Sequence, residues 1–298
     1  MPSGPMPRWL GVTLLLVIAF TFGSNHVAAR VAFDHGTSVT SAVVARSIFT
    51  ALAVLVLMRV QGVSMALAGP QRARAMVIGV LIAMQSYCLY SAVASLKVAL
   101  ALLAFNTFPM LLTLLTWAAG GERPAPRAMV AMPLALAGLA LTLDVFGNTA
   151  GLAGRWAEIG TGVLWAFGAA ISFAAALFLT GHWLKDVDGR MRTFLSMSVT
   201  AVLLLCVGLA AGDFAWPNAT AGWVGLALLC LFYCIAFTGL FIVLPKVGAA
   251  SNAVALNFEP IAVLGLAWII LDQSVAPGQI LGAFVVVGAI ILLNTGKR

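Results

Sequence analysis

Charge is what this sequence has least of. Asp and Glu supply 9 of its 298 residues and Lys and Arg 16, so 8% of the chain is charged against 62% hydrophobic, with a mean hydropathy of +1.08. A water-soluble domain usually carries about a quarter of its residues as charges, so a soluble fold is excluded. Catalytic furniture is also missing: there are 3 histidines, no His-Glu-x-x-His run and no pair of aspartates within an apolar segment, which argues against an intramembrane enzyme. A retinal-type receptor needs a lysine deep in a late helix, and Lys246 stands at the edge of an apolar run. The 4 cysteines, Cys88, Cys206, Cys230 and Cys234, all fall inside apolar runs. They read as small buried hydrophobes, with neither disulfide nor metal spacing.

What is present is a series of long apolar runs. Ten candidate spans lie at about 9–29, 38–58, 75–94, 98–119, 128–146, 160–181, 193–211, 221–243, 247–271 and 277–294, separated by breakers such as "GPQRARA", "GGERPAPR" and "GHWLKDVDGR". A bilayer core needs about 20 apolar residues per helix, and the short alternating segments of a membrane barrel are absent. The predicted fold class is therefore an all-α integral membrane protein of ten transmembrane helices. Placing both termini in the cytoplasm puts 12 of the 16 Lys and Arg residues inside and leaves Arg30, Arg46, Lys97 and Arg155 outside. That positive-inside bias explains the net charge of +7 without nucleic-acid binding. Arg30 and Arg46 are expected at the outer mouth.

An offset of 151 pairs Asn106 with Asn257, Pro109 with Pro260, Trp117 with Trp268, Pro126 with Pro277 and Phe22 with Phe173. One register thus links the first span to the sixth and the fourth to the ninth. Five spans per copy is an odd number, so the two repeats enter the membrane from opposite sides, an arrangement that places a transporter's site near the midplane between halves. Residues 1–29 have the outline of a signal peptide, but their register with a later helix keeps them as the first span.

Both "FNTFPMLL" and "LNFEPIAV" read Asn-x-x-Pro near the middle of a span. Pro109 and Pro260 each remove a backbone donor and predict a kink, and Asn106 and Asn257 bond either the loosened backbone or a substrate. Glu259 has no counterpart, since the offset points to Phe108. Three readings stand side by side for this mid-membrane acid: a protonated group bonded to backbone, a proton-coupling residue, or a group that binds a substrate amine. With no Lys or Arg at comparable depth in another span, an ion-pair lock is disfavoured. In the first span His26 is either a neutral packing residue or a pH-sensitive gate or ligand contact. Aromatic pairs share helix faces, Tyr87 with Tyr90 and Tyr233 with Phe237, alongside Phe20, Phe105 and Trp165. Trp216 and Trp223 suit interfacial anchors. Gly278 with Gly282, and Gly162 with Ala166, suit close helix packing.

Taken together, "FTFGSNHVAARVAF", "FNTFPMLLTLLTWAAGGERPAPRAMVAMPLALAGLAL" and "LNFEPIAVLGLAWIILDQSVAPGQILGAFVVVGAIIL" resemble the drug/metabolite transporter superfamily, EamA-type, and within it the YddG-like exporters of aromatic amino acids. One departure is Asp272, where the family commonly has Glu after a glycine. The resemblance implies two inverted five-helix repeats, 1–147 and 160–298, joined by a linker at 148–159, with both termini cytoplasmic. It implies a monomer in the bacterial inner membrane whose central cavity, built by helices 1, 3, 4, 6, 8 and 9, opens alternately to either side. The substrate expected from it is a small molecule, an aromatic or other neutral amino acid, exported without cofactor, metal or nucleic acid. A multidrug or other small-metabolite exporter, of nucleobases for example, and a channel are the alternatives. Asn25, Gln85, Asn106 and Asn257 are candidates to hold the polar groups of such a substrate, and Phe20, His26, Tyr87, Tyr90, Phe105, Trp165, Tyr233 and Phe237 to wall it in.

Overall fold

Eleven α-helical segments make up the computed structural model, which is described for residues 8–63, 65–67, 69–121, 123–124, 126–142, 151–247, 258–273 and 276–294. They are α1 (Arg8–Asp34), α2 (Val39–Val60), α3 (Gly69–Ser95), α4 (Val98–Phe105), α5 (Phe108–Ala118), α6 (Pro126–Thr142), α7 (Gly151–Trp183), α8 (Gly189–Ala211), α9 (Thr220–Val247), α10 (Glu259–Leu271) and α11 (Pro277–Asn294). With α4 and α5 counted as one interrupted helix, ten helices stand where the ten apolar runs lie. Seven are long and apolar enough to cross a membrane: Thr13–Asp34, Val39–Val60, Gly69–Ser95, Val98–Ala118, Ile159–Trp183, Gly189–Ala211 and Thr220–Gly239. Three described apolar stretches are shorter, Met129–Thr142, Glu259–Leu271 and Pro277–Ala289. For two of these the expected runs extend into 143–150 and 248–257, outside the described residues.

The helices pack chiefly as α1 on α9, α3 on α7, α6 on α11 and α2 on α8, with α10 against α1 and α5 against α7. Glycines set the closest approaches. A Cβ on Gly225 would lie 2.9 Å from both the Ala28 carbonyl oxygen and the Ala32 nitrogen, which lets α9 rest on the backbone of α1. A Cβ on Gly282 of α11 would lie 2.6 Å from the Gly138 oxygen and 2.5 Å from Thr142 Oγ1 of α6. The same crossing is held by Gln279 Nε2, which donates to the Thr142 carbonyl at 3.0 Å. Of the predicted Gly278/Gly282 pair only Gly282 is a contact, for nothing lies within 4 Å of a Cβ on Gly278. Gly282→Leu is therefore expected to force α11 off α6 and cost about 1–3 kcal/mol, the usual range for overpacking. The check is the unfolding midpoint in detergent, with Gly278→Leu as the variant that leaves it unmoved.

One end of the bundle is tied by loop contacts. Ser38 caps α2 by accepting from the Ser41 N–H, and its hydroxyl donates to the Asp213 carbonyl at 2.8 Å. Thr40 Oγ1 donates to Asp213 Oδ2 at 2.6 Å, and the Asn218 N–H to the His35 carbonyl at 3.0 Å. The α1–α2 turn is thus joined to the α8–α9 turn, where Trp216 and Trp223 stack with ring centroids 6.2 Å apart, each about half exposed. At the start of α8, Asp188 accepts from the Arg190 N–H and guanidinium, which together hold its carboxyl below the usual carboxylate range, and Arg190 also donates to Gln61.

The span expected at 98–119 is broken rather than bent. α4 ends at Phe105, where Asn106 Nδ2 donates to the Leu102 carbonyl at 2.8 Å, and Thr107 Oγ1 takes the Ala104 carbonyl at 2.8 Å. Both carbonyls also accept a backbone N–H, Leu102 from Asn106 at 2.9 Å and Ala104 from Thr107 at 3.3 Å, so the two side chains reinforce the last turn of α4. Pro109 then sits in the first turn of α5, where its missing N–H costs nothing. Pro260 occupies the same place in α10. The cysteines are all free, with Cys88 and Cys230 buried as expected but Cys206 exposed on α8.

Candidate functional site

A polar cluster forms where α1, α2, α3, α9 and α10 meet. At its centre is Arg46, the eighth residue of α2 and only 2% exposed. Its Nη2 donates to Ser86 Oγ at 2.9 Å and its Nη1 to the Tyr90 hydroxyl at 3.2 Å. Each hydroxyl passes a hydrogen bond on to an amide oxygen, Tyr90 to Asn25 Oδ1 at 3.1 Å and Ser86 to Gln85 Oε1 at 3.3 Å. The guanidinium also lies over two rings, its Cζ 3.8 Å from the Tyr233 centroid and 4.9 Å from that of Tyr90.

On the α1 side, His26 Nε2 stands 3.3 Å from Glu259 Oε1, and its ring is 5.8 Å from that of Tyr90. The backbone explains the pairing. Gly23, one helical turn before His26, presses on α10: a Cβ there would lie 3.0 Å from Val263 Cγ2 and 3.4 Å from the Glu259 carbonyl oxygen. That approach brings His26 over the first turn of α10, where Glu259 is the opening residue and the helix dipole favours a carboxylate. The His26 side chain is 7% exposed and that of Glu259 26%, so a solvent-sized species reaches the acid more readily than the imidazole.

Three buried nitrogens of this cluster have no hydrogen-bond partner among the described residues: Asn25 Nδ2, His26 Nδ1 and Arg46 Nε. A buried donor left unpaired costs about 1–3 kcal/mol, so the Asn25 and Arg46 N–H groups, with an open imidazole nitrogen beside them, mark a place shaped for something else. Aromatic walls surround it. Phe22 packs edge-on to Tyr233 at 6.2 Å and to Phe237 at 5.7 Å, and Tyr87 edge-on to Trp165 at 5.9 Å.

Of the residues singled out from the sequence, Asn25, His26, Gln85, Tyr90, Tyr233 and Glu259 join this cluster directly, and Phe237 through Phe22 and Tyr233. Tyr87 and Trp165 contact each other beside it, Trp165 being 36% exposed. Phe105 belongs to a separate trio with Phe108 and Phe173, with centroids 4.8–5.6 Å apart. Asn106 is spent on its own helix end, and Phe20 is 45% exposed. Asn257 lies outside the described residues.

Two expectations are corrected, both at Arg46. Arg46 does not line the outer mouth but is buried inside the bundle, so a cation does share the interior with Glu259. Arg30 binds the end of α3, its Nη1 donating to the Val93, Ala94 and Leu96 carbonyls at 3.0–3.2 Å while Nε meets Asp34 Oδ1 at 2.8 Å. Ser86 and Phe22 were not among the predicted site residues. Arg46 carried a signal, for it stands eight residues inside the apolar run that begins at 38.

A bundle of membrane-length helices enclosing a buried polar cluster, with no metal-binding group among the described residues, has the form of a membrane transporter. A sequence model of the EamA-like transporter family matches residues 9–144 and 160–295, and the chain belongs to that family. No curated protein matches the sequence. A protein of known crystal structure, 17% identical, superposes with a TM-score of 0.65 over 95% of this chain and 96% of its own, a likeness of fold. Small-molecule transport across a lipid bilayer, by a multi-pass membrane protein rather than an enzyme, follows from the family.

Proposed function

We propose that the protein exports aromatic and other neutral amino acids by alternating access, as two inverted five-helix repeats with both termini cytoplasmic. The observation that carries this reading is the cluster itself, charged and polar groups from five helices beside the aromatic walls of Phe22, Tyr87, Trp165, Tyr233 and Phe237. An amino acid needs both kinds of surface: fixed polar partners for its ammonium and carboxylate, and ring faces for its side chain.

The packing map supports the repeat. Exchanging the halves carries α1 on α9 into α7 on α3, and α1 on α10 into α7 on α5, while α2 on α8 and α6 on α11 map onto themselves. Two segments of the chain match the same family model. The bacterial inner membrane and a monomeric state belong to the same proposal, by resemblance to the YddG-like exporters. The test is reconstitution of the purified chain with a panel of labelled amino acids, with and without a pH gradient. Saturable counterflow of phenylalanine or tryptophan is the expected result. Unsaturable flux would indicate a channel, and flux only of nucleobases or lipophilic cations would overturn the amino acid reading.

A further inference from the structure

We propose that Arg46 is the anchor for the carboxylate of the transported molecule, so that a carboxylate is what this transporter requires of its substrates; the identity of the whole substrate as an amino acid rests on the function proposed above, but the anchor does not.

The warrant is a buried cation without a counter-ion. Arg46 is 2% exposed, and among the described residues no carboxylate pairs with it; the ion pairs found there join His26 to Glu259, Arg30 to Asp34 and Arg190 to Asp188. Taking a cation out of water is costly even after relaxation, and a ring face returns only part of that cost. The Ser86 and Tyr90 hydroxyls accept from two of the five N–H groups of the guanidinium, and Nε–H has no acceptor among the described residues. What is missing is a negative charge with acceptor oxygens. Asn25 Nδ2 is a second unsatisfied donor, and it belongs to the residue whose Oδ1 takes the Tyr90 hydroxyl; both Asn25 and Arg46 therefore reach the same phenol from different helices.

The anion's type follows from its surroundings. A planar guanidinium suits a planar, two-oxygen acceptor better than a point ion. A dianion such as a phosphate monoester would meet Arg46 as the one buried guanidinium among the described residues, with the Glu259 carboxyl, held at His26, in the same cluster. A single negative charge fits. Specificity then resides in an interaction that an ester or amide of the same molecule cannot make, and truncating it leaves the cation unpaired.

The experiment measures binding to the purified full-length chain in detergent, by thermal shift and by displacement, using phenylalanine, phenylalaninamide, phenethylamine, phenylpropionate and chloride. Wild-type protein is expected to bind phenylalanine or phenylpropionate at least about tenfold more tightly than phenylalaninamide. R46K, which keeps the charge but loses the fork, is expected to keep part of that preference, and R46Q to lose it. Phenylpropionate binding without phenylalanine overturns the amino acid reading and leaves the carboxylate anchor standing. Equal binding of phenylalanine and its amide does the reverse. A response to chloride as large as that to the carboxylates, or no binding of any carboxylate by folded wild-type protein, overturns the anchor. Should R46Q fail to fold, the acid-against-amide comparison in wild type and R46K decides the question alone.

Discussion

Glu259→Gln is expected to abolish accumulation driven by a pH gradient while leaving substrate exchange intact. The reasoning starts from asymmetry. At the sequence offset of 151 Glu259 falls on Phe108, and the proposed exchange of halves carries the α1–α10 junction onto the α7–α5 junction. The α7–α5 junction is filled by the Phe105, Phe108 and Phe173 rings, and the α1–α10 junction by His26 and Glu259 at 3.3 Å. A stack of rings is indifferent to protons. A histidine and a carboxylate together change their net charge by one on the gain or loss of a proton, and the groups that face them are Tyr90 and, beyond it, Arg46. Gln keeps the size and an acceptor oxygen but cannot take up the proton. Proteoliposome accumulation with and without an imposed gradient, set beside counterflow at equal pH, makes the distinction. Gradient dependence that survives in the Gln variant would sink the coupling role.

Tyr90→Phe is expected to lower transport by at least about tenfold, with a measurable loss of thermal stability. The hydroxyl removed accepts from Arg46 and donates to Asn25 in a residue that is 1% exposed, so water does not replace it. Its loss leaves a second guanidinium nitrogen, Nη1, without an acceptor and orphans the Asn25 oxygen, at about 1–3 kcal/mol for each neutral group and more for a charged one. Tyr87→Phe is the control: the ring packs on Trp165, and the ring contact survives the change. Equal behaviour of the two variants in counterflow would show that the phenol bridge does not organise the site.

The helices were legible because apolar length and charged breakers are properties of contiguous residues. The end of α4 was partly legible for the same reason: Asn106 and Pro109 lie close in the chain, though a break rather than a kink is what forms where the Thr107 N–H turns to the Ala104 carbonyl and the Asn106 and Thr107 side chains bond the same last turn. The His26–Glu259 contact joins residues 233 positions apart, and no pattern in either segment encodes it. It depends on Gly23 letting α1 lie against α10, and one glycine in a small-residue-rich helix gives no such signal. Arg46 shows the opposite failure. Its depth in an apolar run was visible, but a positive-inside count treats every arginine as a loop charge and so set it at the mouth. Phe20, by contrast, shares the composition of the true wall residues and differs only in which way its helix face turns.

The interruption at Asn106 and Thr107 divides one membrane crossing into two rods with different mounts. Every residue of α4 from Val98 to Ala104 is buried, so that rod is gripped on all sides, and its first N–H is held by Gln273 Oε1 at 3.1 Å. In α5 only Met110 is buried. The Lys97 end of the crossing is thus a clamped shaft and the Ala118 end a cantilever, with the Phe105, Phe108 and Phe173 rings as the bearing between them. Any swing of this crossing is a rotation about the bearing, large at the α5 tip and small at Lys97. Spin labels at the two ends would therefore report very different amplitudes from a single turnover.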